Sequence, residues 1–117
     1  MTTPTDRRAI WETYTSSWTA GSTAERLATY ASCLSSDVSY TDPNVAANGY
    51  DELAQYMAGF QQQLPGGGFV TKDFSDHHDV AIINWDMVDA AGNVLSPGTS
   101  FGGDDGLLKS MTGFFEG

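Results

Sequence analysis

Residues 34–49 read Leu-Ser-Ser-Asp-Val-Ser-Tyr-Thr-Asp-Pro-Asn-Val-Ala-Ala-Asn-Gly, and the chain changes period within them. Val38, Tyr40 and Asp42 alternate with Ser39 and Thr41, as in a half-buried strand. Pro43 cannot donate to a ladder and Asp42-Pro43-Asn44 favours a turn, so the strand ends there. Upstream, apolar residues recur at helical spacing. Ile10, Tyr14 and Trp18, with Trp11 beside them, form one stripe, started by Pro4 and Thr5 and stopped by Gly21. Ser22 and Glu25 have the spacing of a capping box and open a second helix with Leu27, Tyr30, Ala31 and Leu34 on its buried face. The short Ala-Gly-Ser connection predicts an antiparallel helix pair. Downstream of Asn48-Gly49, a third helix carries Leu53, Tyr56, Met57, Phe60 and Leu64. Pro65-Gly66-Gly67-Gly68 ends it, as a plain stop or as a lid.

The rest of the chain reads as antiparallel sheet. One long strand is expected from about His77 to Val88, followed by a hairpin turn over 89–93. A second strand runs from Val94 to Phe101, kinked or edged by Pro97. After a turn over 102–106, the last strand runs from Leu107 to Phe115. Helices first and strands later predict an α+β domain, a single one over residues 1–117, with helices on one face of the sheet.

Composition narrows the function. Lys plus Arg number 5 against 15 Asp plus Glu, a net charge of −10. Such a surface repels phosphate backbones and anionic lipid, so neither nucleic acid nor membrane is an expected partner. Cys33 is the one cysteine, which excludes an internal disulfide and a cysteine zinc cluster; with no basic neighbour, it reads as a packing residue. No apolar signal segment and no apolar run of roughly 20 residues is visible, and the expected location is cytoplasmic. Phosphate-binding loops, the dinucleotide fingerprint and the H-E-x-x-H zinc motif are all missing; no cofactor and no metal is expected.

Four segments carry a resemblance: residues 10–21 (I-W-E-T-Y-T-S-S-W-T-A-G), residues 34–49, residues 51–60 (D-E-L-A-Q-Y-M-A-G-F) and residues 106–115 (G-L-L-K-S-M-T-G-F-F). Together they resemble the nuclear-transport-factor-2-like superfamily, above all its SnoaL-like and ketosteroid-isomerase-like branches. The resemblance implies a cone: three helices from the N-terminal half packed on a curved, mainly antiparallel sheet that encloses an apolar pocket. It also implies a homodimer through the outer face of the sheet. The same cone serves isomerases, polyketide cyclases and non-enzymatic binders, so fold alone does not decide function.

By the resemblance, Asp42 stands where ketosteroid isomerases hold the carboxylate that moves a proton between carbons, and Tyr14 stands at their oxyanion-donor tyrosine. Read from the residues alone, Asp42 is equally an Asx turn and Tyr14 a core aromatic. The isomerases' second donor, a late-strand acid, falls here on Thr99, or on Ser100 after a one-residue slip. On one continuous strand His77, Asp79, Ala81, Ile83, Trp85 and Met87 share a face, with His77 and Asp79 able to assist proton transfer or standing as ordinary polar residues at a solvated strand entrance. The adjacent His78 then points to the opposite face, away from any metal shared with His77. Trp11, Trp18, Met57, Phe60, Trp85, Met87, Thr99 and Phe101 are expected to bind a small hydrophobic ligand. The leading expectation is a cofactor-free isomerase or cyclase acting on an enolisable carbonyl, and the alternative is a non-catalytic binding or dimerisation module.

Overall fold

Three helices form along the apolar stripes but end before them: Trp18, Leu34 and Leu64 lie beyond their helices, and Leu34 opens the first strand. In the computed structural model, which describes residues 7–104 and 107–115, they are α1 (Arg7–Ser16), α2 (Thr23–Cys33) and α3 (Gly49–Gln63). The strands are β1 (Leu34–Asp42), β2 (Val45–Asn48), β3 (Gly68–His77), β4 (Val80–Val88), β5 (Val94–Asp104) and β6 (Leu108–Phe114). Pro4, Thr5 and the Asp105-Gly106 part of the last turn lie outside the described residues. Among the described residues, no helix is long and apolar enough to cross a membrane.

Helix α1 stops sooner than its apolar stripe. Ser17, Trp18, Thr19 and Ala20 each donate their N–H three residues back, so the chain leaves α1 through tight turns. The buried Arg26 of α2 meets the carbonyls exposed there, donating from Nε to Ser17 O at 3.2 Å and from Nη2 to Ala20 O at 2.7 Å. A cation at the end of a helix suits both its orphan carbonyls and its dipole. The predicted cap of α2 forms: Ser22 Oγ accepts from Glu25 N at 3.2 Å, and Glu25 Oε2 accepts from Gly21 N at 3.0 Å. After α3, Gln61 holds both Gly66 N and Gly67 O, so residues 65–68 form a tied stop.

The sheet runs β2-β1-β6-β5-β4-β3, antiparallel throughout except for the parallel pair β1 and β6. Register shifts interrupt the β1–β6, β3–β4, β4–β5 and β5–β6 ladders, and bulges of this kind bend a sheet. It curves around one core shared with all three helices, from Trp11 and Tyr30 to Leu53, Ile83 and Met111.

Two strands depart from expectation. The strand expected from His77 begins only at Val80, because His78 (φ 52°) and Asp79 form the turn that joins β3 to β4. Strand β3 itself escaped the period-2 reading. Phe69 and Thr71 pair with Met87 and Trp85, but a register shift between Thr71 and Asp73 moves the inward position to Phe74, opposite Ile83. On β4, Ala81, Ile83 and Trp85 are buried while Val80 and Ile82 are exposed. Trp85 lies flat against β5 because position 98 is glycine: a Cβ there would meet the indole at 2.2 Å.

All five tyrosines sit in or against this core, and burial raises the pKa of each. A phenol with a folded pKa above its unfolded value stabilises the fold fully below the ordinary tyrosine value near 10. That contribution declines above it, as the unfolded chain sheds protons that the folded chain keeps. At pH 11 each of the buried Tyr14, Tyr30 and Tyr40 accounts for roughly 1.4 kcal/mol of lost stability. The urea midpoint is therefore expected to hold to about pH 9 and fall steeply by pH 11. An unchanged midpoint at pH 11 contradicts this burial.

Candidate functional site: an aromatic cavity around Asp42

Between the helices and the inner face of the sheet lies a cavity of about 770 Å³, within the range of small-molecule sites. Its wall is aromatic. Trp18 stands at the centre, with ring centroids 5.8 Å from Tyr40, 5.9 Å from Tyr56, 5.4 Å from Phe60 and 5.2 Å from Phe69. Phe69 continues the wall to Trp85 at 5.0 Å, and Trp85 to Phe115 at 6.1 Å. Edge-to-face contacts of this kind suit the ring quadrupoles and fix the wall's shape. Among the described lining residues none is Lys, Arg or His, and Asp42 is the only acidic one.

Asp42 does two jobs at once. Its Oδ1 accepts from Asn44 N at 2.8 Å and Val45 N at 3.1 Å, which is the Asx turn. Its Oδ2 accepts the phenols of Tyr40 at 2.7 Å and Tyr56 at 2.8 Å. Strand parity places Tyr40 beside it, and α3 brings Tyr56. Burial, with the carboxylate beside them as a further cause, pushes both phenols above the ordinary tyrosine value, so they remain donors.

Tyr14 is buried, and its oxygen accepts from Trp18 Nε1 at 3.0 Å. Among the described residues its own O–H has no acceptor, and burial holds it far on the protonated side. Trp11 also lines the cavity, and among the described residues its buried indole N–H has no partner. The sequence reading took Trp11 only as an apolar surface.

Several expected site residues stand elsewhere. His77 and Asp79 do not share a strand face with Trp85. They lie at the exposed β3–β4 hairpin, outside the cavity wall, because the turn at His78 breaks the strand. The same turn brings the two histidines together, Nδ1 to Nδ1 at 3.2 Å, instead of sending them to opposite faces. No third metal-ligating side chain joins them among the described residues. Arg7 anchors this hairpin through Asp76 and the His78 carbonyl. Thr99 and Phe101 lie on the outer face; Thr99 donates to Asn84 Oδ1 at 2.7 Å, and Phe101 packs edge-on to Phe114. The inward residue of the pair is Ser100, which accepts from Trp85 Nε1 at 2.9 Å. Met57 lies beneath the wall, fully buried, accepting from Tyr30 and Ser17. Trp11, Trp18, Phe60, Trp85 and Met87 do line the cavity. Cys33 is sealed in the core, where burial pushes its thiol up to about 12.

By sequence, no family model matches the chain and no curated protein matches it. Solved structures do. A protein assigned as an isomerase of the SnoaL-like family from Agrobacterium tumefaciens superposes with a TM-score of 0.85 at 21% identity, over 95% of this chain and 97% of that one. A protein assigned as a polyketide cyclase from Sinorhizobium meliloti gives 0.71 at 10% identity, over 90% and 93%. A protein of ketosteroid-isomerase-like fold from Catenulispora acidiphila, in complex with trimethylamine, gives 0.73 at 11% identity, over 92% and 85%. At these identities the likeness speaks of fold: the chain adopts the cone of the nuclear-transport-factor-2-like proteins, as the sequence resemblance implied.

Proposed function

We propose that the chain is a cofactor-free acid–base enzyme, of isomerase or polyketide-cyclase type, acting on a small hydrophobic enolisable carbonyl compound. The observation that carries this reading is the carboxylate of Asp42, the one acidic side chain among the described residues that line a cavity rich in aromatic rings. A base that takes a proton from carbon becomes neutral as the carbonyl oxygen becomes an enolate, so the cavity's net charge does not change during the step. A cavity without a cation can therefore support it, provided a neutral donor meets the oxygen. Tyr14, buried, protonated and with its O–H uncommitted, is that donor. Asp42 takes the proton once Tyr40 or Tyr56 gives up its bond to Oδ2; Tyr56, half-buried on α3, is the freer of the two. His77 and Asp79 have no part, since they stand at the exposed hairpin.

Asp42→Asn is the test. The asparagine oxygen still accepts from Asn44 and Val45, so the turn is expected to persist, while the phenols of Tyr40 and Tyr56 lose their shared acceptor and the melting temperature is expected to fall without loss of the fold. Exchange of α-protons for deuterium, followed by NMR on a panel of cyclic and aryl ketones, is expected to fall by about 100-fold or more. Exchange at the wild-type rate in this variant rules out Asp42 as the base. A second reading, a non-catalytic small-molecule-binding module, is favoured by the four hydrogen bonds that fill the acceptor positions of Asp42 and by the fold neighbour that holds trimethylamine. It predicts ligand binding with no exchange in either protein.

We also propose a homodimer through the outer face of the sheet. Val80, Ile82, Phe101 and Phe114 are exposed there on adjacent strands, Ile82 opposite Phe101 and Phe114 opposite Thr99. An apolar patch of this kind marks an interaction surface. Sedimentation is expected to show a dimer at micromolar concentration, and a monomer when Phe101 and Phe114 are both changed to Lys. A wild-type monomer at 100-fold higher concentration overturns the dimer.

A further inference from the structure

The charge and the hydrogen-bond inventory of the cavity select a ligand class more narrowly than its aromatic character does. Nine of the twenty described lining residues are Trp, Tyr or Phe, and one, Asp42, is acidic, with no Lys, Arg or His among them. Ring faces are negative and attract cations, the more strongly when water is excluded. An anionic ligand meets the opposite: repulsion from Asp42 and no lining Lys, Arg or His to offset it. The net charge of −10 draws cations toward the protein before they reach the cavity.

The acceptors discriminate further among cations. A primary ammonium leaving water must replace its lost hydrogen bonds. Asp42 has little to offer it, because the backbone of Asn44 and Val45 and the phenols of Tyr40 and Tyr56 already occupy both its oxygens, which leaves the ammonium only neutral acceptors of the wall such as Asn44, Gln55 and Gln63. A fully methylated ammonium has no N–H to satisfy, sheds its hydration more readily, and presents methyl groups to the rings. We propose that this cavity recognises a ligand bearing a quaternary, methylated ammonium group, held by the ring faces around Trp18 and by the charge of Asp42. The inference uses the same cavity and the same carboxylate as the proposed enzyme, but does not depend on turnover.

The test compares isosteres. Choline, its neutral carbon analogue 3,3-dimethylbutan-1-ol and the anionic 3,3-dimethylbutanoate have closely similar shapes and differ in charge. All three tryptophans of the chain line the cavity, so indole fluorescence reports occupancy directly. Choline is expected to bind at least about tenfold more tightly than the alcohol at 0.15 M salt, a difference of about 1.4 kcal/mol, with the carboxylate weakest. In Asp42→Asn the advantage of choline over the alcohol is expected to shrink to about threefold or less, with binding of the alcohol itself retained. Equal affinity of choline and the alcohol in the wild-type protein overturns the proposal without recourse to any variant. So does a preference that vanishes at 0.5 M salt, which reveals counter-ion attraction to the acidic surface, or one that survives Asp42→Asn undiminished. Loss of α-proton exchange alongside a retained choline preference removes the enzyme reading alone. The reverse pattern removes this one alone.

Discussion

One carboxylate joins three parts of the molecule. Through Oδ1, Asp42 holds the turn that reverses β1 into β2; through Oδ2, it ties Tyr40 of β1 to Tyr56 of α3. Buried polar groups are costly unless paired, and here each partner satisfies another. The two phenols need an acceptor because they sit among rings, and the carboxylate needs donors because it sits among the same rings. Removing the carboxylate as an acceptor would strand the buried Tyr40 hydroxyl, the half-buried Tyr56 hydroxyl and two backbone amides together. The first strand, its turn and the third helix therefore depend on the group that gives the cavity its charge.

This dual use limits the chemistry. A carboxylate whose acceptor positions are all filled is held well in place but is slow to accept a proton, because a hydrogen bond must be given up first. Tyr14 presents the complementary case: its oxygen is fixed by Trp18 Nε1, while its proton is uncommitted. The donor is preorganised and the base is partly masked. A site of this kind offers a ligand the charge of Asp42 while both phenols stay bound, and offers the base only when a phenol is displaced. Discrimination between binding and turnover would then lie in Tyr56, on the helix that can yield, more than in Tyr40, on the strand that cannot.

Much of the fold was legible because its patterns are local. Ser22 and Glu25 cap α2 as their spacing indicates, and Tyr40 and Asp42 share a strand face by parity alone. What was not legible depends on single-residue departures from a period. A bulge beyond Thr71 hands the inward position from odd to even residues, which hides β3 and with it Phe69, a ring of the cavity wall. The left-handed backbone at His78 ends a strand that the apolar alternation carries straight through, so His77 and Asp79 were assigned to a face they never share with Trp85. Thr99 and Ser100 illustrate the same sensitivity: one residue of register decides which side chain faces the cavity, and no local pattern in the Pro-Gly-Thr-Ser run fixes it.

Gly98 connects these two levels. With no side chain at that position, the Trp85 indole lies flat on β5, its Nε1 bonded to Ser100 and its ring against Phe69. A Cβ there would overlap the indole ring at 2.2 Å, so the Trp85 part of the cavity wall depends on that position. The volume of the site is thus set by an absent side chain on the sheet as much as by the large ones on its wall. The shape of the cavity follows from ring packing: Trp18 meets Tyr56, Phe60 and Phe69 edge to face, and Phe69 meets Trp85 in the same way, so a change to one ring shifts its neighbours along the wall.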